Sequence, residues 1–155
     1  MGKQNLYEHS IGVPLIICGP GIPQSEKRKT LCYLYDVFPT LCQLTDLEIP
    51  ETVQGESFLA AIENNNHVHR KSMVYAYKEF QRAYRKGDLK LIEYFVKRKR
   101  NTQLFNINED PYEKNNLYKQ KELSAEYMLM KKEMIQGMKL VNDTNLIYKK
   151  LLTEL

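Results

Sequence analysis

The chain has 155 residues, 43% hydrophobic and 27% charged, with a formal net charge of +4. That make-up fits one ordinary globular domain and excludes a disordered or collagen-like chain. No apolar run approaches the ~18 residues that cross a bilayer, and the basic excess comes with no recognition motif or aromatic-basic platform, so neither a membrane span nor nucleic acid is expected.

Val13–Cys18 reads V-P-L-I-I-C, a continuous apolar run of the kind that forms a strand covered on both faces in a parallel sheet. Gly19-Pro20-Gly21 then forces a turn. Leu31 to Leu47 has the helical period, with Leu34, Phe38, Leu41 or Cys42, and Thr45 on one stripe. Pro39 requires that this helix begin near Leu34, with Asp36 in the first turn, favoured there by the helix dipole. A short helix follows over Gln54–Ile62, then a loop at Asn64–Asn66.

From Met73 the style changes. Met73–Lys78, Arg82–Arg85, Leu89–Phe95 and Gln103–Ile107 are short β-branched or aromatic runs, and Lys86-Gly87-Asp88 is a hairpin signal. An antiparallel sheet of about four strands is expected. In Leu89–Val96, two alternating sets, Leu91/Glu93/Phe95 and Lys90/Ile92/Tyr94, leave the facing open. A helix follows over Leu123–Val141, with Leu123, Tyr127, Met130, Met134 and Met138 or Val141 inward, and Glu126, Lys131, Lys132 and Glu133 outward. A shorter helix covers Leu146–Leu155. All partners of this sheet and its helix are expected within residues 70–141. The order predicts an α/β and α+β mixture. Residues 1–65 are expected to form the end of a larger α/β domain, 70–141 an antiparallel-sheet subdomain with its covering helix, and 142–155 a helical tail. The three cysteines, Cys18, Cys32 and Cys42, are odd in number and irregularly spaced. They imply no disulfide framework or zinc pattern, and their apolar neighbours make them small core residues.

Three blocks carry a resemblance. The first is Gly2-Lys3-(x3)-Tyr7-Glu8-(x4)-Val13-Pro14-Leu15-Ile16 with Gly19-Pro20-Gly21-Ile22. The second is Asp36-Val37-Phe38-Pro39-Thr40-Leu41 with Gly55-(x)-Ser57-Phe58-Leu59. The third is Arg82-Ala83-Tyr84-Arg85-(x4)-Lys90-Leu91-Ile92, then Leu104-Phe105-Asn106-Ile107-(x2)-Asp110-Pro111-(x)-Glu113-(x2)-Asn116-Leu117. In this order the chain resembles the C-terminal part of the type I, formylglycine-dependent sulfatases of the alkaline phosphatase-like superfamily. Sulfatases of this type occur widely in bacteria that degrade sulfated sugars.

The resemblance implies an intact enzyme that hydrolyses a sulfate ester or sulfamate of a sulfated carbohydrate. Its calcium and formylglycine are held by an N-terminal part that these residues do not include, so no cofactor is expected in this chain, and the chain alone is expected to be inactive. No secretion signal is legible, although relatives are commonly exported to the periplasm or beyond. Lys3 is implied to contact the sulfate, since an ammonium can stabilise sulfate oxygens and a leaving oxygen. His9 either faces the substrate or packs against backbone. Arg82 and Arg85 either reach an anionic sugar or pair with Glu79 or Glu93. Gly12 stands where an arginine is common. Cys18-Gly19-Pro20-Gly21-Ile22 mimics the Cys-x-Pro-x-Arg motif but lacks its arginine, so Cys18 is not expected to be a nucleophile. His67 and His69 form H-x-H, a metal pair only with a third ligand. Two rival functions are a phosphonate or phosphodiester hydrolase of the same superfamily and a non-catalytic module binding polyanions through Lys97–Arg100.

Overall fold

Four strands, β1 (Ser72–Tyr77), β2 (Gln81–Lys86), β3 (Leu89–Val96) and β4 (Lys99–Asn106), form an antiparallel sheet in the order β1-β2-β3-β4. They are seen in a computed structural model that describes residues 4–97, 99–143 and 145–153. The other elements, in chain order, are one turn of helix α1 (Glu8–Ile11), a 3-10 turn (Leu34–Asp36), α2 (Val37–Leu44), α3 (Leu59–Glu63), a second 3-10 turn (Lys121–Leu123), α4 (Ser124–Leu140) and α5 (Leu146–Leu152). The mixed architecture, with an antiparallel sheet under a C-terminal helix, is the expected one. Contacts gather the chain into two units, one of residues up to Pro14 with Ser72 onward, the other of Leu15–Lys71.

In the sheet unit the alternation of β3 resolves into two faces. Tyr84, Leu91 and Leu104 are buried with Met130, Met134, Ile135 and Met138 of α4, and Leu89 and Phe95 pack against that cluster. Ala83, Ile92 and Phe105 point the other way and are buried with Leu6, flanked by Tyr7, Ile11 and Tyr94. The sheet's partners therefore extend beyond residues 70–141, because Leu6 and Tyr7 cover the face that α4 leaves. Lys131 is also a correction. It was expected outward but is 3% exposed, near Glu93 and Arg100, whose fields act on it. Of the alternatives Met138 and Val141, Met138 is the inward one and Val141 is exposed.

Gly137 lets α4 lie close to β1. A Cβ there would sit 2.5 Å from Val74 Cγ2. Gly137→Ala should lose about 1–3 kcal/mol to overpacking, offset by ~1 kcal/mol of helix propensity. Adding Val74→Ala should return most of the loss in urea unfolding. A single variant more stable than the parent would contradict this packing.

Residues 13–71 depart from expectation in two places. Val13–Cys18 forms no strand, and Val13, Leu15 and Ile16 are exposed. A strand needs a hydrogen-bonded neighbour, and every ladder of the described sheet joins β1 to β4 among themselves. Cys18 is accordingly exposed rather than core; Cys32 is half-buried and Cys42 buried. The expected stripe of α2 is also mostly outward: of its members Leu34, Phe38, Leu41 and Thr45 are exposed and only Cys42, the alternative to Leu41, is buried, together with Asp36, Pro39 and Thr40. Polar bonds choose that face. Thr40 Oγ1 donates to the Asp36 carbonyl (2.7 Å) and accepts from the Phe58 amide (3.0 Å), which draws the 55–58 segment over the helix. Gly55 fits there because a Cβ would lie 2.3 Å from the Tyr35 carbonyl oxygen.

Candidate functional site

The N-terminal motif folds as a short strap on the sheet. Ser10 and Ile11 amides donate to the Tyr7 carbonyl (2.8 and 3.1 Å), and the Gly12 amide donates to that of Glu8 (2.7 Å). The Tyr7 hydroxyl donates to Gln103 Oε1 (2.9 Å), and its ring meets Phe105 edge-on at 6.1 Å. Burial, with the Tyr7 hydroxyl beside it, raises the Tyr94 phenol well above its ordinary range. His9 stacks on Tyr7 with ring centres 5.8 Å apart and is exposed on its other side. Lys3 lies outside the described residues.

Under the strap is a buried ionic cluster. Lys90, on β3, has no exposed surface. Its Nζ lies 2.8 Å from Glu8 Oε1 and 2.9 Å from Glu113 Oε1. The second oxygen of Glu113 accepts the Glu8 backbone amide at 2.5 Å, and Arg85 Nη1 donates to Glu8 Oε2 at 3.0 Å. The cluster needs Lys90 and Arg85 on one sheet face, and the register pairs them directly across β2 and β3. Asp110 and Asn116 frame Glu113. Asp110 accepts the amides of Glu113 (3.0 Å, carbonyl) and Asn115 (2.7 Å, carboxylate). Asn116 accepts the Leu104 amide at 3.0 Å and donates to the Thr102 carbonyl at 3.1 Å. The Asp110–Leu117 motif thus ties a turn to the end of β4 and aims one carboxylate at the strap.

Arg82 faces the opposite side of the sheet from Arg85. It is 4% exposed, paired with both carboxylate oxygens of Asp143 and bonded to the carbonyls of Lys78 and Gln81. The partners expected for the two arginines, Glu79 and Glu93, are replaced by Asp143 and Glu8. Glu93 instead takes two bonds from Arg100 (2.6 and 2.8 Å) and one from Thr102 (2.8 Å). Arg100 Nη2 also donates to the Tyr127 hydroxyl; burial and the nearby Glu93 charge push that phenol up to about 12. One of the four basic residues at the hairpin tip is therefore bound within the protein, while Lys97 and Lys99 are exposed.

The other unit has its own buried centre. Asp36 is 0% exposed. It accepts Arg70 Nε (2.8 Å) and Nη2 (2.7 Å), and the amides of Tyr33 (2.8 Å) and Glu56 (3.0 Å). Burial pushes its carboxyl upward, but Arg70 and the two amides outweigh that and hold it below the ordinary range. His69 Nε2 lies 3.3 Å away, while His67 is exposed. The H-x-H pair is thus split, and among the described residues no three His, Cys, Asp or Glu side chains gather as a cation site. Arg28 donates to the Ala61 (2.8 Å) and Ile62 (2.5 Å) carbonyls at the end of α3.

Glu8, Lys90 and Glu113 stand in the quoted motifs with no task assigned from sequence, and Asp36 is expected there only as a residue favoured by the helix dipole. No local pattern marks them, because Glu8 and Glu113 stand in polar stretches and a charged residue is buried only where a partner meets it.

Motifs and sheet together define the C-terminal region of a sulfatase-type fold. The family model for the C-terminal part of N-sulphoglucosamine sulphohydrolase matches residues 1–140, and the chain belongs to that family. Arylsulfatase K of Mus musculus is 28% identical over 129 residues, 74% of this chain and 23% of that protein. The chain thus spans about a quarter of that relative. Two solved structures share the fold. A Bacteroides thetaiotaomicron sulfatase from work on glycosaminoglycan metabolism gives a TM-score of 0.67 at 23% identity, covering 87% of this chain and 32% of its own. A phosphonate monoester hydrolase from Silicibacter pomeroyi gives 0.69 at 18%, covering 89% and 31%.

Proposed function

We propose that this chain is the C-terminal portion of a sulfatase that hydrolyses sulfate esters or sulfamates of sulfated carbohydrates. The observation that carries this reading is the family match over residues 1–140, whose motif residues Glu8, Lys90 and Glu113 meet in one buried cluster. Lys3 is the proposed sulfate contact, through the charge an ammonium places beside a sulfate oxygen. Exposed His9, on its Tyr7 platform, is the proposed sugar-facing residue. Arg85 borders this face but is held by Glu8, and Arg82 is turned away. We assign to Arg82 a structural task rather than substrate binding.

The resemblance implies calcium and a formylglycine. The described residues fit neither, because no cation cluster forms among them and Ile22, four residues after Cys18, stands where the motif has an arginine. We place both groups in a further portion of the protein of the kind the relatives have. The exposed side chains Leu34, Phe38 and Leu41 would lie under that portion.

The test is hydrolysis by the longer protein of N-sulfoglucosamine, 4-nitrophenyl sulfate and phenyl phosphonate in parallel. Sulfate release is expected, and Lys3→Ala should lower kcat by about 10²–10³. Turnover of the phosphonate alone would transfer the assignment to the phosphonate hydrolases, and an unaffected Lys3→Ala enzyme would remove Lys3 from the site.

A further inference from the structure

We infer that Glu113 and Lys90 are positioning residues that clasp the His9 strap to the sheet and so fix the substrate-facing groups without touching substrate. This inference rests on the sulfatase reading for its catalytic readout. Three observations lead to it. Glu113 uses one oxygen on the backbone amide of Glu8 (2.5 Å) and the other on Lys90 (2.9 Å). A bond to a backbone amide fixes the position of the chain itself, not merely of a side chain. That amide is one residue from His9 and from Tyr7, on which His9 stacks. Lys90 bridges Glu113 to the side chain of Glu8 (2.8 Å), so the strap is gripped at main chain and side chain by the same pair.

The backbone shows that the grip is specific. Glu113 has φ +52, a region L-residues enter at a cost. Glycine would be easier there, yet only a side chain reaches Glu8. Lys90 is fully buried and Glu113 8% exposed, so neither offers a charge to a ligand. Their product is geometry: a rigid platform holding His9 outward.

The experiment uses the longer protein, with Glu113→Ala and Glu113→Gln. The glutamine keeps an acceptor for the Glu8 amide and loses only the charge. Amide hydrogen exchange over residues 5–10 is read beside kcat, KM and Tm. In Glu113→Ala, exchange at Glu8 should rise about tenfold or more, as loss of a charged hydrogen bond predicts. kcat should fall by up to about 10²-fold, the effect of a ~1 Å misplacement of a reacting group, with KM within about twofold of the parent because no substrate contact is removed. Glu113→Gln should recover part of both. Unchanged exchange at Glu8, or raised exchange with unchanged kcat, would overturn the clasp. If Glu113→Ala does not fold, Glu113→Gln decides: exchange and kcat both equal to the parent's would overturn the role of the charge. Failure of the unaltered protein to hydrolyse any sulfate ester would overturn the functional reading instead, and exchange at Glu8 would still decide whether the strap is clasped.

Discussion

Lys90→Met should destabilise the sheet unit by about 3–5 kcal/mol, the usual loss when one member of a buried ionic group is removed. Two glutamates depend on this ammonium. Glu8 retains Arg85 at 3.0 Å, but Glu113 keeps only the Glu8 amide. The loss should therefore arise chiefly from the Glu113 charge, left under the strap without a cation. That makes a sharper statement testable: Lys90→Met with Glu113→Gln should be more stable than Lys90→Met alone. Urea unfolding of the three proteins measures it. A Lys90→Met loss below about 1 kcal/mol, the scale of a surface pair, would show that water reaches the cluster.

Asp36→Asn should be nearly as damaging to the other unit, by about 3–5 kcal/mol on the same ground. The carboxylate accepts Arg70 twice and two backbone amides. An asparagine amide puts a donor where donors already converge, and it leaves Arg70 without its buried counter-charge. The pH dependence follows from the direction of the shift. The folded carboxyl lies below its ordinary value, so Asp36 contributes stability above the unfolded value of about 3.9. That contribution falls away as pH drops through the folded value. Acid unfolding of the parent should therefore include a component below about pH 4 that Asp36→Asn lacks. Identical acid limbs for the two proteins would mean that Asp36 is not ionised in this setting.

Much of the sheet unit was legible because alternation and hairpin signals report local geometry. β1 to β4 and α4 stand within a few residues of expectation, apart from an earlier start to β4 at Lys99. Legibility fails where distant bonds decide. Nothing in the pattern around Leu34, Phe38 and Leu41 says that Thr40 will bind Phe58, yet that bond turns the stripe outward. Val13–Cys18 has the composition of a covered strand, but composition cannot supply the neighbour that a ladder requires. At the candidate site, resemblance pointed to Lys3 and His9, whereas Lys90 and Glu113 became visible only once sequence separations of 82 and 105 residues from Glu8 had closed in space.

Those separations also bear on the order in which the molecule is built. A ribosome adding about 5–20 residues per second makes Glu8 several seconds before it makes Glu113. Until then Leu6 and Tyr7 have no sheet to cover, and Glu8 has neither its ammonium nor the carboxylate that will hold its amide. The residues between, Leu15–Lys71, form their own unit and can mature during the wait. Vectorial synthesis thus leaves the strap unseated until Glu113 has been made, and an arrest before Glu113 would yield a nascent chain whose strap is still open to chaperones and proteases.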